Sequence, residues 1–414
     1  MTPSFTSPGR WLTILGIGED GVEGLSAPAQ TALSAANTVF GGHRHLALAA
    51  PLITGEAHPW ASPLADTIPA ILLKRGQPVV ILASGDPFYF GIGATLMPHI
   101  SMDEMSCFPA LSSICLARAR LGWSAQECDA ISLCGRPLSL LYPLLQPGAR
   151  LLLLSADSST PGAVAALLCA RGFGKSRLDL LEALGGPHER IRHEVAETFS
   201  QEKQVNPLNL IAVTVVAAPQ AQILPLGFGR PDELFEHDGQ ITKQEIRAVT
   251  LAALSPRLGE QLWDIGCGSG SIGIEWMLLH PRNRAIGIEA RSDRAARARR
   301  NAIALGVPGF EVKLGSAPEN LHGLMAPDAI FIGGGATTPG MIETVWQLLK
   351  PGGRLVINSV TLETDTLLSA SLQRFGGTLT RLSVERLDII GRMHAYRPAM
   401  TVTQWAVTKE LEAP

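Results

Sequence analysis

The stretch QLWDIGCGSGSIGIE, residues 261–275, runs from five mostly apolar residues into three alternating glycines and then into a helical pattern. Ile272, Trp276 and Leu279 share one face of that helix. Glycine admits positive φ and lets the backbone approach a ligand closely, and the unpaired N–H groups of a helix start face the same space. Nineteen residues beyond Gly270, the next strand pattern, RAIGIEA, ends in Glu289. A carboxylate at that strand end can accept hydrogen bonds from both hydroxyls of a ribose. The unit therefore reads as a parallel α/β sheet with a nucleotide-like cofactor at the carboxyl ends of its strands. Read as Gly268, Gly270 and Gly273, the loop also satisfies GxGxxG, which leaves a nicotinamide-dependent oxidoreductase as a competing reading.

Outward from this loop the alternation continues. FEVKLGS, DAIFIGGG and GRLVINSV read as further strands, separated by the helical segments SDRAARARRNAIALG, MIETVWQLLKPGG and ETDTLLSASLQRFG. Such alternation predicts right-handed crossovers and a doubly wound sheet. TRLSVERLDII and PAMTVTQWAVTK are expected as closing strands, antiparallel at the edge. Upstream, WLTILGIG, PVVILASGDP, ARLLLLSA and NLIAVTVVA read as buried strands, with APAQTALSAANTVF and SSICLARARLGW as helices. The Pro- and Gly-rich AAPQAQILPLGFGRPDELF lacks periodicity. The expected division is residues 1–216, a linker at 217–226, and residues 227–414.

Bulk properties narrow the function. The 414 residues exceed a single core, and 46% hydrophobic against 17% charged marks a compact globular chain. With 34 basic and 37 acidic residues the formal net charge is −3, so no polyanion-binding surface is expected. The arginine-rich ARSDRAARARR (290–300) reads as a solvated helix face. Six cysteines without a CxxC pair suit a reducing cytoplasm, and neither a targeting signal nor a membrane partner is expected. His43 and His45, two apart in GGHRHL, would share one face of a strand, but a third ligand is missing, so no metal is expected. Arg44 is a candidate contact for a substrate carboxylate.

The form DxGxGxG, with Asp264 two residues before the first glycine, resembles motif I of class I S-adenosylmethionine (SAM) methyltransferases. SAM has no pyrophosphate, and its aminoacyl end carries an ammonium that an acidic strand end can help hold. In order, DGQITKQEIRA, WDIGCGSGSIGIE, GSAPENL, DAIFIGGG and GGRLVINSVTLE resemble the decarboxylating C15-methyltransferase domains of cobalamin biosynthesis across residues 227–410. The resemblance implies a Rossmann-like domain with a SAM site built from Thr242, Asp264, Gly266, Gly268, Gly270, Glu289 and Ala317. Decarboxylation also needs a proton donor. Candidate residues are His237, Asp238, Lys243, Glu245 and Glu363; Glu245 and Arg247 are expected to pair or to be solvated on a helix rather than to catalyse.

The first glycine run, LGIGEDG (15–21), is a poor dinucleotide loop, because Glu19 and Asp20 follow the glycines and no carboxylate-ended strand comes next. With SGDPFYFG (84–91), PALSSI (109–114) and SLCGRPL (132–138), it is similar to the tetrapyrrole methylase fold, the class III SAM methyltransferases. In particular it resembles C5-methyltransferase domains of the same pathway, over residues 11–216. This implies two α/β lobes and a second SAM site along Ser84, Gly85, Asp86, Ser112 and Ser113. Gly16, Gly18 and Gly21 would shape the floor beneath the substrate. Together the two domains imply methylation of carbons 5 and 15 of a precorrin-6 tetrapyrrole and loss of its ring C acetate carboxyl. SAM is the expected cofactor at one site per domain, with a homo-oligomer joined through the C-terminal domain.

Overall fold

The computed structural model describes residues 9–200 and 204–411. They form two compact units: residues 9–136 with 146–222, and residues 137–145 with 223–411. Among the described residues no helix is long and apolar enough to cross a membrane, and all six cysteines are free.

In the first unit, β1 (Leu12–Ile17), β2 (Thr38–Gly41), β3 (Glu56–Pro59), β4 (Val79–Ser84) and β5 (Met105–Phe108) form an all-parallel sheet in the order β3-β2-β4-β1-β5. The central strands β1 and β4 are apolar but for Thr13 and Ser84, as strands covered on both faces require. Leu12, Ile14 and Ile81 pack in one buried cluster, while Leu15, Ile17 and Leu82 pack in another. A second sheet joins β6 (Asp129–Ser132), β7 (Arg150–Leu154), β8 (Arg177–Glu182), β9 (Arg190–Val195) and β10 (Asn209–Thr214) in the order β6-β7-β10-β8-β9. Here only β6 and β7 run parallel. The sheet is pinned at Glu182, whose buried carboxylate accepts from Arg190, Arg192 and the Asn206 N–H.

The second unit has a seven-stranded sheet. Its strands are β11 (Gln261–Ile265), β12 (Arg284–Glu289), β13 (Glu311–Leu314), β14 (Ala329–Ile332), β15 (Arg354–Ser359), β16 (Thr378–Leu382) and β19 (Val402–Thr408). The order β13-β12-β11-β14-β15-β19-β16 reverses direction between β11 and β14, which places a crevice at the carboxyl ends of those two strands. β19 pairs antiparallel with both β15 and β16, as the edge reading expected. Trp263, Trp276 and Trp405 are completely buried in the layers on the sheet.

Several local readings change. TRLSVERLDII is not one strand: β16 stops at Leu382, and β17 (Glu385–Ile390) turns into a separate hairpin with β18 (Met393–Pro398). APAQTALSAANTVF splits into a helix, Ala27–Ser34, and β2. His43 and His45 lie on the helix His43–Ala49 rather than on a strand, so a two-residue spacing does not put them on one face. Within AAPQAQILPLGFGRPDELF, Leu224, Arg230 and Phe235 are buried, and backbone bonds from Ala218 and Gln222 to Gly172 and Arg171 anchor its start. The aperiodic composition reflects irregular backbone.

Candidate functional site

In the second unit β11 ends at Ile265 and the chain turns through Gly266, Gly268 and Gly270 into the helix Ser271–Leu278. The N–H groups of Gly266 and Cys267 both bond to the Ile288 carbonyl, and the Gly268 N–H donates to Glu289 Oε2 at 2.9 Å. Glu289 Oε1 accepts from the Arg291 N–H at 2.9 Å, so the carboxylate at the end of β12 holds the glycine loop in place. The glycines divide by role. A Cβ on Gly266 would press on the Gly334 backbone, whereas one on Gly270, at φ +78°, would lie 2.9 Å from the Phe310 ring. Gly273 is tighter still, at 2.5 Å from the same ring. Gly270 and Gly273 thus let the helix pack closely, and Gly266 opens the crevice.

The crevice is a cavity of about 870 Å³, within the range of small-molecule sites. Thr242, Lys243, Asp264, Gly266, Glu289 and Ala317 all line it. Gly268, Gly270, His237, Asp238 and Glu363 are not in its wall. Asp264 Oδ2 accepts from the Gly273 N–H at 2.9 Å, while its Oδ1 is buried without a partner among the described residues. Burial, opposed by the Gly273 N–H and reinforced by Glu289, pushes its carboxyl up to about 7.

The five candidate proton donors separate by environment. Asp238 is gripped by Arg297 at 3.1 Å and Arg294 at 3.0 Å, which with the Gln240 N–H hold it far below the usual carboxylate range. An acid so firmly ionised has no proton to give at neutral pH. His237 accepts the Gly239 N–H on Nδ1, and Glu363 lies in the first turn of the helix Leu362–Phe375. Lys243 caps the helix Gln244–Leu254, with Nζ 3.9 Å from Asp232. Glu245 and Arg247 do not pair with each other: Glu245 bonds to Arg386 on β17, and Arg247 is buried against Glu275 and Asp232. The arginines of ARSDRAARARR are largely matched by Glu236, Asp238 and Asp293, so the helix face is ion-paired more than free.

The first unit contains its own cavity, of about 380 Å³, where β1 and β4 end. Gly18, Arg44, Ser84, Gly85, Ser112 and Ser113 line it, while Gly16, Gly21 and Asp86 are not in its wall. Gly16 is irreplaceable on geometry, since a Cβ there would sit 1.8 Å from the Gly85 carbonyl oxygen. Asp86 Oδ1 accepts from the Phe88 N–H at 2.9 Å and shapes the SGDPFYFG turn, as an Asx turn does. Gly21 closes a turn back to the Gly18 carbonyl. Ser112 caps the helix Ser113–Leu121 through the Cys115 N–H. Arg44 is held by Glu19, His45 and Ser84. Among the described residues no cluster of three His, Cys, Asp or Glu is placed to hold a metal ion.

Residues 12–199 match the family described as Tetrapyrrole (Corrin/Porphyrin) Methylases, and residues 233–409 match the Precorrin methyltransferase domain. A Sinorhizobium protein named precorrin-6Y C(5,15)-methyltransferase [decarboxylating] is 54% identical over 407 residues, 98% of each chain. The chain belongs to this precorrin-6Y C(5,15)-methyltransferase family. Two shorter relatives match parts of it. A probable cobalt-precorrin-6B C(15)-methyltransferase (decarboxylating) of Saccharolobus solfataricus is 39% identical over 36% of this chain and 77% of its own. A cobalt-precorrin-7 C(5)-methyltransferase of Salmonella typhimurium is 26% identical over 48% of this chain and 98% of its own.

The partners that Arg247 finds have no signal in the sequence. Arg247 Nε donates to Glu275 Oε1 at 2.6 Å, and its other nitrogens reach Asp232 and the carbonyls of Thr242 and Arg230. Glu275 also accepts the Gly229 and Arg230 N–H groups. This buried ion network ties the helix after the glycine loop to Thr242 in the cavity wall. Removing one partner would strand a buried charge, which costs several kcal/mol.

Proposed function

We propose that the chain methylates carbons 5 and 15 of a precorrin-6 macrocycle and removes the carboxyl of its ring C acetate, with one SAM site in each unit. The observation that carries this reading is the full-length match to a decarboxylating C(5,15)-methyltransferase, in a chain with two separate cavities on unlike α/β scaffolds. The first unit is assigned carbon 5; the second is assigned carbon 15 and the decarboxylation.

SAM supplies an electrophilic methyl on a sulfonium when bound. In the second cavity the unpartnered Asp264 Oδ1 suits its ammonium, because a buried acceptor without a donor is costly until a cation arrives. Glu289 keeps spare lone pairs for ribose hydroxyls beyond the two N–H groups it already accepts. Thr242 and Ala317 also line the cavity, and Ala317 is assigned to the adenine. In the first cavity Ser84, Gly85, Ser112 and Ser113 take the cofactor and Gly18 and Arg44 the substrate side, while Gly16, Gly21 and Asp86 act through the turns that carry them.

These residues align donor and acceptor, and that positioning provides most of the rate for an enamine-like carbon attacking a methyl. Decarboxylation leaves an electron pair that the conjugated macrocycle accommodates, so the protein must add only a proton to the new exocyclic carbon. Lys243 and Glu245 are the two candidates in the cavity wall; Arg386 holds Glu245 ionised, so Lys243 is assigned as that donor. The hairpin β17–β18 exposes Leu387, Ile389, Met393 and Tyr396, which supports self-association through the second unit, and a cytoplasmic setting suits the free thiols. Mass spectrometry of precorrin-6Y incubated with SAM and the full chain tests the reading. Two added methyls minus one carbon dioxide are expected; a product with unchanged mass would overturn it.

A further inference from the structure

The helix His43–Ala49 begins two residues after β2 and delivers Arg44 and His45 to the wall of the first cavity. Ser84, the last residue of β4, meets them there. His45 Nε2 lies 2.8 Å from Ser84 Oγ and 2.8 Å from Arg44 Nη2. A guanidinium only donates, so Nε2 must offer its lone pair, and the ring is neutral with its proton on Nδ1. Ser84 Oγ accepts from Arg44 Nη2 at 3.2 Å, and its own proton shares the single Nε2 lone pair with the Arg44 N–H, while the Nδ1–H is buried without a partner among the described residues. Glu19 balances the Arg44 charge from the other side. A hydroxyl resting on a neutral imidazole, both in a cavity wall, is the arrangement of a proton-accepting group.

We propose that His45, acting through the Ser84 hydroxyl, is the base that takes the proton leaving the bridge carbon methylated in the first unit. This rests on the reading of that unit as a carbon methyltransferase. Adding a methyl to a conjugated bridge carbon and restoring the conjugation requires that carbon to lose its hydrogen as a proton. The bridge carbon supplies the electron pair of the new C–CH3 bond, the donor's S–CH3 pair returns to sulfur, and the macrocycle takes up the positive charge. The C–H pair then flows back into the ring system. Its proton passes to Ser84 Oγ as the serine proton moves to His45 Nε2, and the imidazolium releases it to solvent. Burial, then the neighbouring Arg44, hold the imidazole down to about 4. A base that weak stays unprotonated at neutral pH and is still sufficient for an acid as strong as a cationic C–H.

The test uses the full chain, precorrin-6Y carrying deuterium at carbon 5, and the variants His45→Gln and Ser84→Ala. His45→Gln is expected to slow carbon-5 methylation roughly 100-fold. It should also reveal a primary deuterium isotope effect absent from the wild type, while carbon-15 methylation and S-adenosylhomocysteine affinity keep their wild-type values. Ser84→Ala should show the same isotope effect. Independently of turnover, ¹⁵N NMR of His45 should report a neutral ring protonated on Nδ1 between pH 6 and 8. A ring protonated on Nε2 at pH 7 overturns the proposal, as does carbon-5 methylation by His45→Gln within threefold of wild type. If wild-type protein adds no methyl to carbon 5 while the Nδ1 tautomer is present, the methyltransferase reading of the unit is what has failed, and the base role falls with it.

Discussion

Replacing Asp264 by Asn should move stability and cofactor binding in opposite directions. In the free protein the Asp264 carboxyl is raised from its ordinary 3.8 to about 7, mainly by burial. The stability contributed by its protonated form is complete below pH 3.8 and is lost as pH rises through about 7. At pH 8 the fold therefore carries an ionised, buried carboxylate at a cost of about 4 kcal/mol, at 1.36 kcal/mol per pH unit. Asn is isosteric and neutral, and its carbonyl still accepts the Gly273 N–H that Oδ2 now accepts at 2.9 Å. Amide exchange at Trp263 and Ile265 of β11 should slow in Asp264→Asn at pH 8, and the difference from wild type should vanish below pH 4. Calorimetry with SAM should show the reverse. A lost charge-assisted hydrogen bond of about 1.5–3 kcal/mol weakens binding at the second site roughly 10- to 100-fold. Faster exchange at pH 8, or SAM affinity within twofold of wild type, would refute the reasoning.

Other substitutions probe single supports. Glu289→Gln turns an amide NH2 toward one of the two backbone N–H groups that the carboxylate now accepts, and should weaken SAM binding about tenfold by calorimetry, with no change at the first site. Gly16→Ala drives a Cβ into the Gly85 carbonyl and should cost roughly 3 kcal/mol in urea unfolding of the first unit. Glu182 is raised by burial, but Arg190, the Asn206 N–H and Arg192 outweigh this and hold it below 4.5. The stability it adds is present above pH 4.5 and is lost as pH falls below that value, so acid titration followed by circular dichroism should show Glu182→Gln with a shallower acid limb than wild type.

The parallel core was readable because strands buried on both faces are mostly apolar, as β14 is throughout and β1 and β4 are but for Thr13 and Ser84. The glycine loop with Glu289 was equally legible, since a tight strand-to-helix turn leaves few residue choices. What the pattern hides is which atoms face the ligand. Gly270 and Gly273 read like cofactor contacts but make room for Phe310, a residue about 40 positions away that no local signal connects to them. Charged residues were the least legible. Arg247 and Glu245 sit two apart in one helix, yet one is fully buried against Glu275 and the other reaches Arg386 on the hairpin, because burial is decided by what packs on the helix. His45 looked like half of a strand-borne pair because a short helix after a glycine pair has too few residues to show a period.

The account stands on two independent cofactor sites in one chain. Equilibrium dialysis of the full chain against S-adenosylhomocysteine measures this most directly: two molecules bound per chain are expected, with Asp264→Asn weakening only one of the two. Saturation at a single molecule per chain would contradict it.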